Sequence, residues 1–241
     1  MKAVYVGILT PGTTSRMRAE SLRKLTPDWE WRWIDTDLPL RSSMRLWQSL
    51  AFRYKLGRGV DRVNAWVLEQ VRMFAFDLDL AWVDKGVFLR APTARLLRQR
   101  SKRMVHFTPD SAFHVNRSRH FTENIYLYDL LVTTKSFEMD HYRRHMEEER
   151  LLLTTQGYDA GVHFPRGKDS ERRREVVFVG LAESDRERCI ARLLDEDVPV
   201  RLAGKPLVFE IGQRGWLLAP ELELGFQSAG LGRVGMHSPY Q

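Results

Sequence analysis

Charged side chains follow two neighbouring apolar runs of the sequence, at the points where predicted β-strands end. Asp84 and Lys85 come directly after LAWV, and His106 and Asp110 lie at the end of the next run, in VHFTPD. A carboxylate or an imidazole in such a place can take a proton from an acceptor hydroxyl group if its pKa suits the task. We therefore predict Asp110 and His106 as catalytic bases, with Asp84 and Lys85 lining the cleft beside them.

Asp110 also has a structural alternative to catalysis, because an aspartate can cap the short segment SAFHV that follows it. The next apolar run, LLVTTK, ends in Lys135, which we predict to face the same cleft. These predictions require the runs to be parallel strands of one sheet, since ligands of such sheets bind at the carboxyl ends of the strands.

A turn of small and hydroxyl-bearing residues, TPGTTS, follows the first apolar run, AVYVGIL, and precedes a helix predicted to be capped by Ser15. Backbone N–H groups and the helix dipole favour anions at such a turn. We predict that it lines a ligand-binding cleft through Gly12, Thr13, Thr14 and Ser15, with a plain strand-to-helix turn as the alternative. The turn lacks the GxGxxG pattern of dinucleotide-binding proteins.

Apolar runs alternate with segments of helical spacing over the first two-thirds of the chain, which predicts an α/β fold with a Rossmann-like parallel sheet. The predicted strands cover 3–9, 29–35, 80–83, 104–107, 130–134 and 151–155. The predicted helices lie near 15–25, 44–74 with a break at Gly57 and Gly59, 93–99, 119–126 and 137–146.

A second, partial Rossmann-like unit is predicted after a polar, charged linker. The predicted domains are 1–165, the linker 166–175 and a shortened domain 176–241. In the second domain a strand (VVFVG, 176–180), a helix beginning at Ser184 and a strand (PVRLAG, 199–204) follow one another. This order predicts the start of a further βαβ unit.

Bulk composition limits the classes of function. The 241 residues are 43% hydrophobic and 29% charged, which indicates a folded domain and not a disordered chain. A single cysteine, Cys189, excludes an internal disulfide framework. The N-terminal apolar run is too short for a membrane span, so we expect a cytoplasmic protein with no transmembrane segment.

The net charge of +7 favours polyanions such as nucleic acid, anionic membranes or phosphate-bearing ligands. We expect no nucleic-acid partner, because no motif of a nucleic-acid-binding domain is present. We also expect no metal site. Asp77 and Asp79 precede a strand and so lie at the wrong end of the sheet, while His141 and His145 lie on a strongly charged segment typical of a solvated helix face.

The order of several segments between about Leu80 and Lys205 resembles bacterial glycosyltransferases of the two-Rossmann (GT-B) type, especially the CgeB-like (spore maturation protein-like) group. The segments are AWVDKGVFL, VHFTPDSAF, YDLLVTTKSFEMDHY, LLLTTQGYDAGVHFP, VVFVGLAESDRERCI and VPVRLAGK. The individual motifs are loose, and the resemblance lies in their order.

The resemblance implies transfer of a sugar from a nucleotide-diphosphate sugar, used as a co-substrate without a cofactor or metal, to a glycan, protein or small-molecule acceptor. It places Gly180 and Lys205 near the donor phosphates. By the segment PLVFEIGQRGWLLAPE it places Glu210 on the donor ribose hydroxyls.

The chain departs from the family pattern after Lys205, where FEI follows almost at once and the donor domain is shortened. This leaves an alternative function open. The chain could be a non-catalytic glycan- or partner-binding protein derived from a glycosyltransferase, forming an oligomer or pairing with a complete transferase.

Overall fold

A computed structural model describes residues 1–161, 163–165, 167, 174–180 and 184–203 of the chain. The chain divides into two compact units, Met1–Ala160 and Gly161–Gln241. The predicted linker 166–175 lies mostly outside the described residues, so the exact domain boundaries stay a prediction.

The first unit is built on a parallel sheet of six strands. They are β1 (Lys2–Gly7), β2 (Glu30–Asp35), β3 (Leu78–Asp84), β4 (Ser101–Thr108), β5 (Leu130–Thr133) and β6 (Leu151–Leu153). Their order across the sheet is β2-β1-β3-β4-β5-β6, and every pair is parallel. The predicted α/β class with a Rossmann-like parallel sheet is confirmed.

Seven α-helices of the first unit connect or flank these strands. They are α1 (Thr14–Leu25), α2 (Leu38–Arg41), α3 (Arg45–Tyr54), α4 (Arg58–Arg72), α5 (Ala91–Gln99), α6 (Arg119–Asn124) and α7 (Met139–Arg143). No helix among the described residues is both long and apolar enough to cross a membrane.

Apolar side chains of β1 reach both faces of the sheet, because successive residues of a strand point to opposite sides. Val4 and Val6 belong to the larger buried cluster, which also contains apolar residues of α4 and α5. Tyr5 belongs to a second cluster with Ala19 of α1, against which Trp31 and Trp33 of β2 pack. The alternating tryptophans of β2 therefore cover the α1 side of the sheet.

Two helix predictions differ from the structure and a third agrees with it. α1 is capped by Thr13 and not by Ser15, which lies inside the helix and is buried. The predicted break in the segment 44–74 is confirmed, because α3 ends at Tyr54, α4 begins at Arg58, and Lys55 and Gly57 adopt positive φ between them. The segment 137–146 contains only the five-residue helix α7, preceded by the 3-10 turn Ser136–Glu138.

The described part of the second unit is a βαβ arrangement. β7 (Val176–Val179) pairs in parallel with β8 (Val200–Ala203), and α8 (Ser184–Asp195) connects them. Ile190 of α8 is buried, whereas Val177 and Val179 of β7 are exposed. These elements match the predicted start of a second unit.

Candidate functional site

A cavity of about 300 Å³ lies at the carboxyl ends of β1 and β3. The strand order reverses between these two strands, and in open α/β sheets ligands bind in the crevice at such a switch point. The lining residues are Val6, Ile8, Thr13, Thr14, Ser15, Thr36, Val83, Asp84, Lys85, Gly86, Val87, Phe88 and Leu89. Five predicted cleft residues, Thr13, Thr14, Ser15, Asp84 and Lys85, are among them.

The N-terminus of α1 opens onto this cavity. The Thr13 hydroxyl accepts a hydrogen bond from the Arg16 N–H at 3.3 Å and donates one to the Thr10 carbonyl at 2.7 Å. The Thr10 hydroxyl in turn donates to Asp37, which follows β2. Within the described chain no acceptor is bonded to the N–H groups of Thr14 and Ser15. Unpaired N–H groups of a first helical turn suit an acceptor or anionic group of a ligand.

Asp84 is the centre of a buried polar cluster at the end of β3. Its side chain is only 1% exposed, and its Oδ2 accepts hydrogen bonds from the Tyr5 hydroxyl and the Arg18 guanidinium. The Tyr5 hydroxyl oxygen also lies 3.0 Å from the Ser15 carbonyl oxygen. Burial raises the pKa of Asp84, although the charge of Arg18 opposes this shift. Burial, followed by the charge of Asp84, raises the pKa of Tyr5.

Gly7 makes this cluster sterically feasible. A Cβ atom at this position would lie 2.9 Å from the Asp84 Cβ, the Ser15 Oγ and the Tyr5 Cε1. Real Cβ atoms do not approach other heavy atoms so closely, so only glycine lets α1 and the end of β3 meet here. Arg18 completes the packing by lying over the Phe107 ring, 4.1 Å from its centroid.

Lys85 and Asp110 form an ion pair that joins the ends of β3 and β4, with 2.7 Å between Nζ and Oδ2. Both Lys85 and Gly86 adopt left-handed backbone conformations, which turn the chain sharply after β3. The side chain of Asp110 is 41% exposed, and the other contact of its Oδ2 is with Asn116 at 3.4 Å. Asp110 therefore combines a fixed position with access to solvent.

A buried carboxylate, Glu138, holds the loop that carries Asp110. Its oxygens accept hydrogen bonds from the Ser111 hydroxyl at 2.7 Å and from the N–H groups of Ala112 and Phe113, each at 2.9 Å. Glu138 is fully buried. The segment after Asp110 forms turns and not a helix, so the predicted helix cap by Asp110 is not formed.

His106, the second predicted base, lies in the core and not in the cleft. Its ring is fully buried, stacked on Phe121 with 4.5 Å between ring centroids. Its Nε2 is 2.9 Å from the Lys85 carbonyl oxygen, to which it donates. Burial lowers the pKa of His106 to about 4. The His106 side chain points into the core, an orientation that the surrounding sequence did not reveal. Its hydrogen bond to the Lys85 carbonyl supports the turn after β3.

The burial of His106 predicts an acid-sensitive fold. Its folded pKa of about 4 is below the ordinary value of 6.5, so the unfolded chain binds this proton first as the pH falls. This contribution to stability is complete above pH 6.5 and is lost towards pH 4, by about 3 kcal/mol. Urea unfolding at a series of pH values measures it. His106→Gln should flatten the dependence more than the exposed His145→Gln does, and equal slopes for the two would contradict the assignment.

The remaining predicted site residues lie apart from the cavity lining or outside the described chain. Gly12 is exposed at the tip of the turn, with a φ of 83°. Lys135 follows β5, half-buried, beside Thr134, whose hydroxyl donates to the Pro109 carbonyl at 3.1 Å. Gly180 follows β7 in the second unit. Lys205 and Glu210 lie outside the described residues.

The residues set aside as metal ligands have other partners. Asp79 accepts hydrogen bonds from the Lys2 N–H and the Lys102 ammonium, at the amino end of the sheet. His141 and His145 stack on Phe113. Over the described part of the chain, no three histidine, cysteine, aspartate or glutamate side chains come together as a metal site.

Three residues of the site were missed by sequence reasoning. Tyr5 lies within an apolar run and Arg18 within a helix rich in arginine, so neither has a distinguishing sequence signal. Glu138 lies between two apolar residues, Phe137 and Met139, in the otherwise polar segment KSFEMD, which is only a weak sign of burial. A buried acid there requires hydrogen-bond donors from a neighbouring loop.

Solved structures similar to this chain include the three described here. No protein-family model and no curated protein sequence matches the chain. MurG of Acinetobacter baumannii is 10% identical with a TM-score of 0.46, over 84% of this chain and 57% of that protein. The lipopolysaccharide outer core galactosyltransferase WaaB is 11% identical with a TM-score of 0.49, over 85% and 60%. The glycosyltransferase of kitacinnamycin is 9% identical with a TM-score of 0.49, over 89% and 68%.

The chain spans less than two-thirds of the length of the first two of these structures. At such identities a similarity concerns the fold and not the activity. The assignment that follows from the topology itself is a Rossmann-like α/β protein with a candidate ligand site at the switch point of its sheet.

Proposed function

We propose that this chain is a glycosyltransferase of the GT-B type, related to the CgeB-like group, that transfers a sugar from a nucleotide-diphosphate sugar to a hydroxyl acceptor. The observation that carries the proposal is that the α1 N-terminus and Lys85 line the cavity at the switch point of the sheet, and that Lys85 is paired with Asp110, which follows β4. Sugar transfer is proposed because the order of the sequence segments between about 80 and 205 resembles that in GT-B glycosyltransferases.

In the proposed reaction the acceptor hydroxyl binds at the cavity in the first unit and loses its proton to Asp110. Its oxygen forms a bond to the anomeric carbon of the donor sugar as the bond from that carbon to the diphosphate breaks. The diphosphate leaves with the electron pair of the broken bond. This is an inverting transfer, in which a positioned base assists the attacking hydroxyl.

The described residues prepare the base for this step. Asp110 does not itself line the cavity, but its ion pair with the lining residue Lys85 and the loop contacts to Glu138 fix its position, and its partly exposed side chain remains open to a ligand. The free N–H groups of Thr14 and Ser15 can donate hydrogen bonds to an oxygen of the acceptor. Such preorganised groups contribute to catalysis because they need little rearrangement during the reaction.

The donor is predicted to bind the second unit through Gly180, Lys205 and Glu210, without a metal or bound cofactor. A thermal-shift titration of the intact chain with a panel of nucleotides and nucleotide sugars tests this part. A donor at about 100 times its dissociation constant adds ~2.7 kcal/mol to the stability of the form that binds it.

Three variants separate donor binding from catalysis. Glu210→Ala and Lys205→Ala should abolish the shift, whereas Asp110→Asn should retain it because Asp110 acts on the acceptor. A cooperative melt that no nucleotide sugar moves would contradict the proposal. A ligand-induced thermal shift that is unchanged in Glu210→Ala and Lys205→Ala would contradict the proposed donor site.

A further inference from the structure

The segment 44–58, which contains α3 and the residues on either side of it, forms a basic surface of unusual composition. No aspartate or glutamate occurs between Asp37 and Asp61, although acidic residues make up 31 of the 241 residues of the chain. Five cations lie in the same interval, namely Arg41, Arg45, Arg53, Lys55 and Arg58. The interval therefore has a uniform positive charge.

Large apolar side chains are exposed on the same segment. Their exposed fractions are 69% for Met44, 60% for Leu46, 48% for Phe52, 58% for Tyr54 and 56% for Leu56. Single exposed apolar residues are common on protein surfaces, but a cluster of five marks an interaction site. We call these five residues, together with Arg45 and Arg53, the α3 surface.

Helical geometry places apolar and basic residues on the outer side of α3. Ala51 is buried on the inner side, whereas Ser49 is exposed. Residues three or four apart share a face of a helix. Arg45 and Phe52 therefore flank Ser49, as do Leu46 and Arg53, on the outer face.

The two arginines of this face are available to a ligand. Within the described chain neither Arg45 nor Arg53 forms an ion pair, whereas Arg41 is bonded to Asp37. Arg58, just beyond α3, lies over the Trp47 ring at 5.5 Å and is also exposed.

We propose that the α3 surface binds an anionic membrane surface. Its arginines contact lipid phosphates, and its exposed apolar side chains enter the boundary between headgroups and acyl chains. Interfacial amphipathic helices combine these two contributions, and each adds affinity for anionic lipid. The phosphates of a nucleic acid could pair with the arginines, but Met44, Leu46 and Leu56 would remain in water. A nucleic acid therefore explains the charge of the α3 surface but not its exposed apolar side chains.

The α3 surface is continuous with the candidate site. Phe52 packs edge-on against Phe88, which lines the cavity, with 5.8 Å between ring centroids. The Lys55 ammonium lies 5.7 Å from the same ring. Burial, followed by the charge of Lys85, lowers the pKa of Lys55, in keeping with its position beside the site. Binding through α3 would therefore place the cavity next to the bilayer.

Co-sedimentation of the full chain with vesicles tests the proposal. The probes are vesicles of phosphatidylcholine alone and vesicles of phosphatidylcholine and phosphatidylglycerol in equal amounts. We expect binding to the anionic vesicles only. Arg45→Glu with Arg53→Glu should weaken that binding at least about 25-fold, since each cation near an anionic membrane contributes roughly a factor of five.

A second pair of substitutions tests insertion apart from charge. Met44→Ser with Leu46→Ser keeps every cation but removes two exposed apolar side chains, and it should weaken binding about tenfold or more. The matched controls are Arg95→Glu with Arg144→Glu for charge and Leu25→Ser with Met73→Ser for apolar exposure. All four control positions are exposed and lie outside the α3 surface.

Several results would overturn the proposal. One is that the wild type does not sediment with anionic vesicles. Another is that the control pairs lose as much vesicle binding as the α3 variants do. A third is that Met44→Ser with Leu46→Ser loses no vesicle binding. Retention on duplex DNA that depends on Arg45 and Arg53, without vesicle binding, would identify a nucleic-acid surface instead. Melting temperatures of all variants verify that they are folded, and none of these readouts depends on sugar transfer.

Discussion

Replacing Arg18 with methionine is expected to lower the free energy of unfolding by about 3–5 kcal/mol, because it leaves the Asp84 carboxylate buried without its cation. The Arg18 side chain is 19% exposed and that of Asp84 only 1%, so water cannot replace the lost partner. Methionine keeps much of the side-chain volume over Phe107, which limits the packing loss. Tyr5 alone would remain bonded to Asp84 Oδ2.

Arg16→Met is the matched control for this prediction. Arg16 lies on the same helix, pairs with Glu20 at 2.6 Å and stacks over Trp33, but both side chains of this pair are partly exposed, Arg16 by 34% and Glu20 by 38%. Exposed pairs contribute only about 0–1 kcal/mol. Urea unfolding followed by tryptophan fluorescence measures both variants, since six of the seven tryptophans lie in residues 1–160. Equal, small losses for the two variants would contradict the buried cluster.

Glu138→Ala is the second substitution expected to have a large effect. It would leave three buried donors, the Ser111 hydroxyl and the N–H groups of Ala112 and Phe113, without an acceptor. Each unpaired buried group costs about 1–3 kcal/mol, so for the three donors we expect a total loss of roughly 3–9 kcal/mol. The same fluorescence-monitored unfolding measures it.

Two further variants define the cause of that loss. Glu138→Gln keeps one carbonyl acceptor and should be less destabilising than Glu138→Ala, while the exposed Glu149→Ala should have almost no effect. Because Glu138 holds the loop that carries Asp110, Glu138→Gln should also reduce any turnover that depends on Asp110. A neutral effect of Glu138→Ala on stability would show that the loop is held by other contacts.

Periodicity was sufficient to predict the six strands of the first unit and their parallel arrangement. Continuous apolar runs such as AVYV and LAWV occur in strands that are buried on both faces, and the helices between them require parallel crossovers. The residue at which α1 begins was less predictable. Ser15 and Thr13 are both good caps, and the choice of Thr13 depends on its contact with the Thr10 carbonyl.

Side chains at the strand ends could be located from the sequence, but their orientation could not. Asp84, Lys85 and the turn 13–15 meet at the cavity because the carboxyl ends of β1 and β3 are adjacent. His106 lies on the neighbouring strand but points into the core, between Phe121 and Tyr128. Only the three-dimensional packing of these rings determines that orientation. The close approach at Gly7 likewise depends on a neighbour 77 positions away in the sequence.

Release of nucleoside diphosphate from a panel of nucleotide sugars, measured with the intact wild type and with Asp110→Asn, tests the proposed transfer most directly. Water can take the place of the unknown acceptor, so the assay needs no acceptor to be identified. We predict release from at least one donor by the wild type and a loss of 10²-fold or more, on the order expected for removal of a general base, in Asp110→Asn with donor binding retained. A nucleotide sugar that binds but is released intact by the wild type, or turned over equally by Asp110→Asn, would contradict the proposed catalytic role of this site.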